Sequence, residues 1–265
     1  MIAKSLKRIY LGLILLFLYA PIIVLMILSF NESKTRAKWG GFSLKWYSAL
    51  FENEAILTAF YNTLVIALLS ALIATIIALF AVIGIQRMNK RVKNISIGIA
   101  NIPMLNADIV TGISMMLMFI ACRISLSFST VLIAHITFNI PYAMLSIMPR
   151  YNSMNTSVYE AALDLGASPV KAFMKVVLPD IFPGIASGFL LAFTMSLDDF
   201  VITHFTKGAG FDTLSTKIYT EVKKGIKPEM YALSTILFAT IFILLVLINK
   251  LPNKKEDKSI ESKRV

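Results

Sequence analysis

Residues 160–179, EAALDLGASPVKAFMKVVLP, form the stretch that decides the fold. The stretch carries two acids, two lysines, one glycine and two prolines, although 57% of the whole chain is hydrophobic. Long apolar runs lie on both sides of it and indicate helices that belong in lipid. A polar segment between such runs has to lie outside the hydrocarbon, where its charges stay hydrated.

The region around the first half of this stretch predicts a short capped helix. Ser157 and Glu160 fit a capping box, in which the Ser oxygen accepts from a backbone N–H and the Glu side chain reaches back to the cap. A helix over about 158–165 follows, and Gly166 supplies a turn position that tolerates a positive φ. One face of this helix carries Tyr159, Ala162 and Leu163.

The second half predicts another helix. Ser168 is a good N-cap, Pro169 suits the first helical turn, and Pro179 marks an end or a kink. Its apolar stripe consists of Val170, Phe173, Met174 and Val177. Two such short helices bury little alone, so their apolar faces need the end of a helical bundle, the groove of another protein or lipid headgroups.

The rest of the chain indicates an all-α polytopic membrane protein. The mean hydropathy is +0.74 and only 15% of the residues are charged. We expect residues 1–250 to form one transmembrane domain with a cytoplasmic loop at 150–180, and residues 251–265 to be a disordered tail. Six apolar runs are long enough to span a bilayer: 9–30, 59–85, 96–121, 126–148, 181–204 and 230–249.

The distribution of Lys and Arg indicates the orientation. The termini and the loops on their side hold 16 of these residues, against 10 in the loops on the other side. The positive-inside rule therefore predicts that both termini and the 150–180 loop are cytoplasmic. The outward segment 205–229 fits either a surface helix or a solvated connector.

Several kinds of chemistry find no support in the sequence. Cys122 is the single cysteine, so an internal disulfide is excluded, and it has no metal-site spacing or catalytic context. No G-x-x-x-x-G-K-[ST] motif for nucleotide phosphates is present. The net charge of +11 is spread between apolar runs, which favours contact with membrane lipid over nucleic acid. We predict no catalytic residue, metal site or cofactor.

The loop resembles the cytoplasmic signature loop of ABC importer permeases of the binding-protein-dependent, type I class. The matching residues are Glu160, Ala161, Ala162, Gly166, Leu178 and Pro179, with Val176 where that family usually has Ile. The resemblance implies a six-span permease fold whose loop docks into a cleft of an ATP-binding subunit. It implies that Glu160 acts as helix cap and polar contact, that Ala161 and Ala162 allow close approach, and that Gly166 makes the turn.

Further motifs resemble those of spermidine/putrescine permeases within this family. They are SFN at 29–31, KWY at 45–47, DIV at 108–110, HITFNIPY at 135–142, SLDDF at 196–200 and KIY at 217–219. The resemblance implies a polyamine importer subunit in a bacterial cytoplasmic membrane, with ATPase activity only in its partners. Those partners are two ATP-binding subunits, a second, PotB-like permease subunit and an external substrate-binding protein.

Acids within the predicted spans give a separate argument about cargo. Asp108, Asp198 and Asp199 lie in predicted spans, and no Lys or Arg does. A carboxylate in mid-span costs about 3 kcal/mol, so such groups usually face a bundle interior or a water path. They suit a cationic cargo, unless they are protonated or pair with a neighbouring subunit. Candidate aromatic faces for cation–π contact are Phe138, Tyr142 and Phe200.

Of the two adjacent acids, we favour Asp198 as a cargo ligand. Neighbouring helical residues point about 100° apart, so we expect that Asp198 and Asp199 do not both face one path. Asp199 is expected to cap or hydrogen-bond nearby backbone, and His135 to be a hydrogen-bonded packing residue. A ladder of small residues that permits close helix packing precedes Asp198: Gly184, Gly188, Ala192 and Ser196.

Other functions stay open from the residues alone. A permease for another cargo, such as thiamine, ferric iron or an anion, would share most of these features. An intramembrane aspartyl protease would pair Asp108 with Asp198, although Met195-Ser196-Leu197 is not the Gly-x-Gly expected before such an aspartate. A secondary transporter would need an inverted repeat, and no convincing one is evident.

Overall fold

The structure, a computed structural model, describes residues 2–35, 38–225 and 227–250. The regular structure in these ranges is helical, apart from one isolated antiparallel bridge between Asn31 and Phe42. The expected tail at 251–265 lies outside the described residues. The helices are α1 (Ile2–Ser29), α2 (Lys45–Glu52), α3 (Glu54–Gln86), α4 (Lys90–Leu105), α5 (Asp108–Ala121), α6 (Phe128–Asn152), α7 (Thr156–Asp164), α8 (Pro169–Ala172), α9 (Leu178–Leu197), α10 (Val201–Thr206), α11 (Leu214–Lys224) and α12 (Glu229–Lys250).

Length and apolar character identify the helices that can cross a membrane. Within the described ranges there are four: Tyr10–Ser29 of α1, then α3, α6 and the continuous helix Pro169–Leu197. The pair formed by α4 and α5 makes a fifth if the two count as one broken span. The sixth predicted span falls on α12, whose apolar stretch Glu229–Ile243 is shorter than the others.

The predicted span 96–121 is wrong as a continuous helix. The axes of α4 and α5 are bent by 101°, and the intervening residues Asn106 and Ala107 have extended backbone. Asn competes with helical hydrogen bonding and favours helix ends. Asp108 then stands in the first turn of α5, where the helix dipole stabilises a carboxylate.

The predicted span 181–204 is also interrupted. The helix ends at Leu197, Asp198 is its C-cap, and a separate helix α10 begins at Val201. The side chain of Asp199 accepts hydrogen bonds from the backbone N–H groups of Ile202 and Thr203, at 3.2 and 2.8 Å. This cap starts a new helix where an unbroken one was predicted.

The chain divides into two compact units, one of which consists of Phe60–Thr216 and the described residues from Leu244 onward. In this unit α9 packs most extensively on α6. The predicted ladder of small residues forms the seam: Gly184, Gly188, Ala192 and Ser196 are all buried. A Cβ added to Gly188 would lie 3.0 Å from the carbonyl oxygen of Ala143 on α6. The two backbones are therefore as close as the absence of a side chain allows.

The second unit contains the described residues up to Ala59 together with Lys217–Ile243. The segment 205–229, which was predicted to face outward, contains the amphipathic helix α11, and this favours the surface-helix alternative over a connector without regular structure. Glu221 on this helix is 7% exposed and is surrounded by the ammonium groups of Lys217, Lys224 and Lys227, at 3.8, 3.5 and 3.4 Å. Burial alone would raise the pKa of Glu221, but the hydrogen bond from Lys227 and the three positive charges hold the pKa below its ordinary value.

The close approach at the seam predicts that Gly188→Val destabilises the fold. The added side chain meets backbone that cannot move independently, and overpacking of this kind costs about 1–3 kcal/mol. Thermal unfolding of the purified protein in detergent should show a lower Tm than for the wild type. Gly84→Val on α3 is the matched control, because nothing lies within 4 Å of a Cβ at Gly84. Equal losses in both variants would contradict the close packing.

The lysines around Glu221 predict a pH-dependent contribution to stability. Because the pKa is lower in the folded state, the carboxylate stabilises fully above its unfolded pKa of about 4.3, and the contribution is lost as the pH falls through the folded value. Wild type should therefore have a higher Tm than Glu221→Gln at pH 7, and the difference should shrink below about pH 4. Glu52→Gln, at an exposed glutamate of α2, should show no such difference. A gap that widens in acid would refute the assignment.

Candidate functional site

A cavity of about 290 Å³ lies beside the break that follows α9. Part of its wall consists of the apolar residues Met195, Val201 and Ile202. All of the residues that the sequence suggested for a cargo path line it together: Asp108, Phe138, Tyr142, Asp198, Asp199 and Phe200. The cavity therefore combines three carboxylates with three aromatic rings.

Three parts of the chain bring these side chains together. The bend before α5 presents Asp108, and the break between α9 and α10 presents Asp198 through Phe200. On α6, Phe138 and Tyr142 are one turn apart, and their rings meet edge to face with centroids at 6.3 Å. Both helix interruptions that the sequence missed are thus parts of this cavity.

The two adjacent acids line the same cavity, so the expectation that they would face different ways is wrong. That expectation assumed a continuous helix, and the helix ends at Leu197. The two carboxylates differ in burial: Asp198 is exposed, whereas the side chain of Asp199 is only 9% exposed. The expected backbone role of Asp199 is confirmed by its capping of α10.

A buried polar network lies behind the cavity and centres on His135. Its Nδ1 is 2.5 Å from the hydroxyl of Ser196, and its Nε2 is 2.8 Å from the hydroxyl of Thr203 and 3.4 Å from the carboxylate of Asp199. Ser196 continues the network to Ser70 at 3.0 Å. His135 is buried and hydrogen-bonded through both ring nitrogens, as the prediction of a hydrogen-bonded residue requires, but its proximity to Asp199 was missed.

The start of α7 differs from the predicted capping box. Asn155, not Ser157, caps the helix: its side-chain oxygen accepts from the backbone N–H of Ser157 at 3.0 Å. The helix consequently begins at Thr156, which places Glu160 beyond the first turn and removes its expected capping role. Glu160 and Ala161 are exposed. The predicted inner face is confirmed: within α7 the partly buried residues are Tyr159, Ala162 and Leu163.

The turn and the second helix follow the prediction closely. Gly166 has a φ of +85°, and the N–H of Ala167 donates to the carbonyl of Ala162 across the turn. Ser168 caps α8 through the backbone N–H of Lys171, and Pro169 stands in the first helical turn. These residues fix the angle between α7 and α8.

Pro179 does not end the helix, contrary to one of the two expectations. A π-helical turn at Phe173–Val177 joins α8 to α9, so that Pro169–Leu197 runs as one helix of 29 residues. Proline lacks an N–H and crowds the carbonyl four residues earlier. The wider π turn directly before Leu178 and Pro179 accommodates this defect without breaking the helix.

A groove of about 470 Å³ lies between the two short helices and the ends of α3 and α6. Glu160 and Arg87 supply charges to a lining that is otherwise largely apolar and aromatic. Several apolar side chains near it stay exposed to solvent: Val158, Leu165, Val170 and Met174. This surface can receive an apolar side chain of another protein that is flanked by polar groups.

Comparison with protein families identifies the class. Residues 74–256 match the model of the binding-protein-dependent transport system inner membrane component. The chain belongs to this family of permeases. Its members are inner membrane components, which agrees with the several long apolar helices.

Two curated relatives cover nearly the whole permease. The chain is 38% identical over 242 residues to the spermidine/putrescine transport system permease protein PotC of Haemophilus influenzae, covering 91% of this chain and 94% of that protein. It is 37% identical over 235 residues to the putrescine transport system permease protein PotI of Escherichia coli K12, covering 86% of this chain and 84% of that protein.

Solved structures share the fold at low sequence identity. A subunit of a bacterial ABC transporter that imports the acidic polysaccharide alginate has a TM-score of 0.68 at 16% identity, covering 93% of this permease and 94% of that chain. A chain of an amino acid ABC transporter has a TM-score of 0.60, covering 78% and 97% respectively. The architecture is therefore that of ABC importer permeases.

Proposed function

We propose that this permease moves polyamines of the spermidine and putrescine type into the cell as a subunit of an ABC importer. The observation that carries the proposal is the cavity in which three carboxylates and three aromatic rings meet. The curated relatives named above, both transporters of such amines, support the same cargo. A carboxylate-rich cavity opposes an anionic cargo, which it would repel.

The chemistry of the cavity fits a flexible oligocation. Within the described residues, Asp108 and Asp198 have no Lys or Arg within ion-pair distance. A charge-assisted hydrogen bond from an ammonium group contributes about 1.5–3 kcal/mol. Phe138, Tyr142 and Phe200 add aromatic faces, each worth about 0.5–2 kcal/mol to a nearby cation. Spaced ammonium groups joined by methylenes can use both kinds of contact together.

Energy comes from partner subunits in this proposal. The chain carries no nucleotide-binding motif, and the groove beside α7 and α8 offers a docking surface for an ATP-binding subunit. The implied assembly has two such subunits, a second, PotB-like permease and an external substrate-binding protein. A solved alginate importer similar to this chain was crystallised with its periplasmic protein, which supports the last partner.

The coupling loop and the cargo cavity are joined by one element. Pro169–Leu197 is a continuous helix, which at about 1.5 Å per residue extends for about 43 Å from α8 to Asp198. Closure of the ATP-binding subunits on α7 and α8 moves this helix as a lever and opens the cavity to alternate sides. Glu160, Ala161 and Ala162 face or flank the docking surface, while Gly166 sets its angle.

We extend the proposal to the membrane topology. We place six spans in a bacterial cytoplasmic membrane, counting the pair of α4 and α5 as one span and α12 as the last. Both termini lie in the cytoplasm, on the side of the docking loop. The supporting observation is the excess of Lys and Arg, 16 against 10, on that side.

Asp198→Asn tests the cargo site. Loss of one charge-assisted contact should raise the KM for spermidine or putrescine by about tenfold to a hundredfold, while the complex still assembles. Uptake should be measured in proteoliposomes that contain the complete importer, with the Glu52→Gln variant as control. A panel of amines, thiamine, ferric iron and anions, scored by ATPase stimulation, tests the cargo class. Unchanged uptake kinetics, or stimulation by another cargo alone, would refute the assignment.

Gly166→Val and Gly166→Asn test the coupling loop. Nothing lies within 4 Å of a Cβ at Gly166, so only its positive φ resists substitution. A β-branched residue resists this conformation, at a cost of about 1–2 kcal/mol, whereas Asn adopts it readily. Cargo-stimulated ATP hydrolysis should fall by about tenfold with Val and much less with Asn. Equal activity of both variants would argue against a role for this turn in coupling.

A further inference from the structure

The polar network behind the cavity joins four elements, α3, α6, α9 and α10, through buried groups. His135 on α6, Ser196 on α9 and Thr203 on α10 are 0%, 4% and 0% exposed. Asn139, one turn after His135, donates through Nδ2 to the hydroxyl of Ser70 on α3 at 3.2 Å and is also 0% exposed. Buried polar groups are costly unless they are satisfied, and a hydrogen-bonded network of this kind rigidifies the elements that it joins.

The hydrogen bonds have a consistent direction when the imidazole carries its proton on Nε2. The Asn139 amide then donates to Ser70, the Ser70 hydroxyl lies within hydrogen-bond distance of both the Ala67 carbonyl and the Ser196 hydroxyl, and the Ser196 hydroxyl donates to Nδ1 of His135. Nε2–H of His135 donates to the Thr203 hydroxyl, which itself donates to Oδ2 of Asp199 at 2.8 Å. From Ser196 through His135 and Thr203 the donors therefore point towards the carboxylate of Asp199.

Asp199 is thereby committed to protein partners. Its Oδ1 accepts from the backbone N–H of Ile202, and its Oδ2 accepts from the backbone N–H and the hydroxyl of Thr203, with His135 at 3.4 Å. Asp108 and Asp198 are instead exposed and line the same cavity. The cavity is thus lined by one carboxylate with protein partners, Asp199, and by two exposed carboxylates, Asp108 and Asp198.

His135 also supports one aromatic wall. Its ring meets that of Phe138 edge to face, with centroids at 5.3 Å, and Phe138 in turn meets Tyr142. A displacement of the imidazole would therefore move both an acid and an aromatic ring of the cavity.

Building on the proposed function, we propose that His135 is a positioning residue for cargo: it fixes Asp199 as the anchor of the α9–α10 break, and Asp108 and Asp198 are the carboxylates that receive the ammonium groups. Asp199 then contributes to affinity through the shape of the site rather than through contact with the cargo. The ligand class is a flexible cation with at least two ammonium groups.

Conservative variants separate this role from packing alone. In His135→Gln the amide nitrogen can take the place of Nε2 and keep the donor towards Thr203. In His135→Asn the shorter amide reaches only the position of Nδ1, beside Ser196. With the complete importer in proteoliposomes, Asn should raise the KM for putrescine by about tenfold with a smaller change in maximal rate, and Gln should recover most of the affinity. Equal behaviour of both variants overturns the proposal.

Double-mutant cycles identify the acid through which His135 acts. Residues in one network are non-additive, whereas independent ones add to within about twofold. His135→Asn combined with Asp199→Asn should be little worse than the more severe single variant. His135→Asn combined with Asp108→Asn should show the product of the two effects on KM, because Asp108 lies on α5, outside the break that His135 fixes. The reverse pattern overturns the role of His135, and so does full additivity in both cycles.

The wild-type importer distinguishes the two levels of failure. If it takes up neither putrescine nor spermidine, the proposed function is refuted, and so is the assignment of Asp108 and Asp198 as ligands of the cargo. If it takes up these amines and only the cycles fail, the cargo stands and His135 is a packing residue. Co-purification of each variant with its partner subunits shows whether the loss lies in assembly instead.

Discussion

The break after Leu197 imposes the constraint on which the rest of the site depends. A helix start leaves backbone N–H groups without partners, and an apolar environment offers no water to satisfy them. Asp199 resolves this by accepting from two backbone N–H groups of α10. Its charge then needs partners of its own, and Thr203 and His135 supply them. Asp199 therefore belongs at once to the cap of α10, to the polar network and to one wall of the cavity.

The helix Pro169–Leu197 contributes to both the proposed docking surface and the cavity. The glycines of the seam hold α9 against α6, and the π turn keeps α8 in line with α9. A helix of about 43 Å that tilts by about 5° moves its far end by about 4 Å. A small displacement at the short helices is thus enough to change the shape of a site lined by Asp198. Close packing along the seam transmits the motion because packed interiors do not compress.

The sequence predicted what local chemistry determines. Gly166, Ser168 and Pro169 occupy their expected places because each suits its position: glycine tolerates a positive φ, serine caps a helix and proline fits the first helical turn. The ladder of small residues predicted the seam because only small side chains allow two helices to pack this closely. Asn155 displaced Ser157 because both are good caps, and only the rest of the loop selects between them. His135 and Asp199 are 64 positions apart, so no local pattern reveals that they meet.

Burial separates the acids of the cavity into two groups. An exposed carboxylate keeps its hydration while the cavity is empty, so in the proposed site Asp108 and Asp198 stay unpaired without a large penalty until a cation binds. A side chain as buried as that of Asp199 cannot stay unpaired while the cavity is empty, because an unpaired charge in such surroundings costs several kcal/mol. It therefore needs permanent partners within the protein. A site that binds and releases a cation in each cycle benefits from this division, since only the hydrated acids exchange water for cargo. The same argument explains why a histidine lies behind the buried acid while, among the described residues, no lysine or arginine lines the cavity: a permanent charge there would compete with the cargo itself.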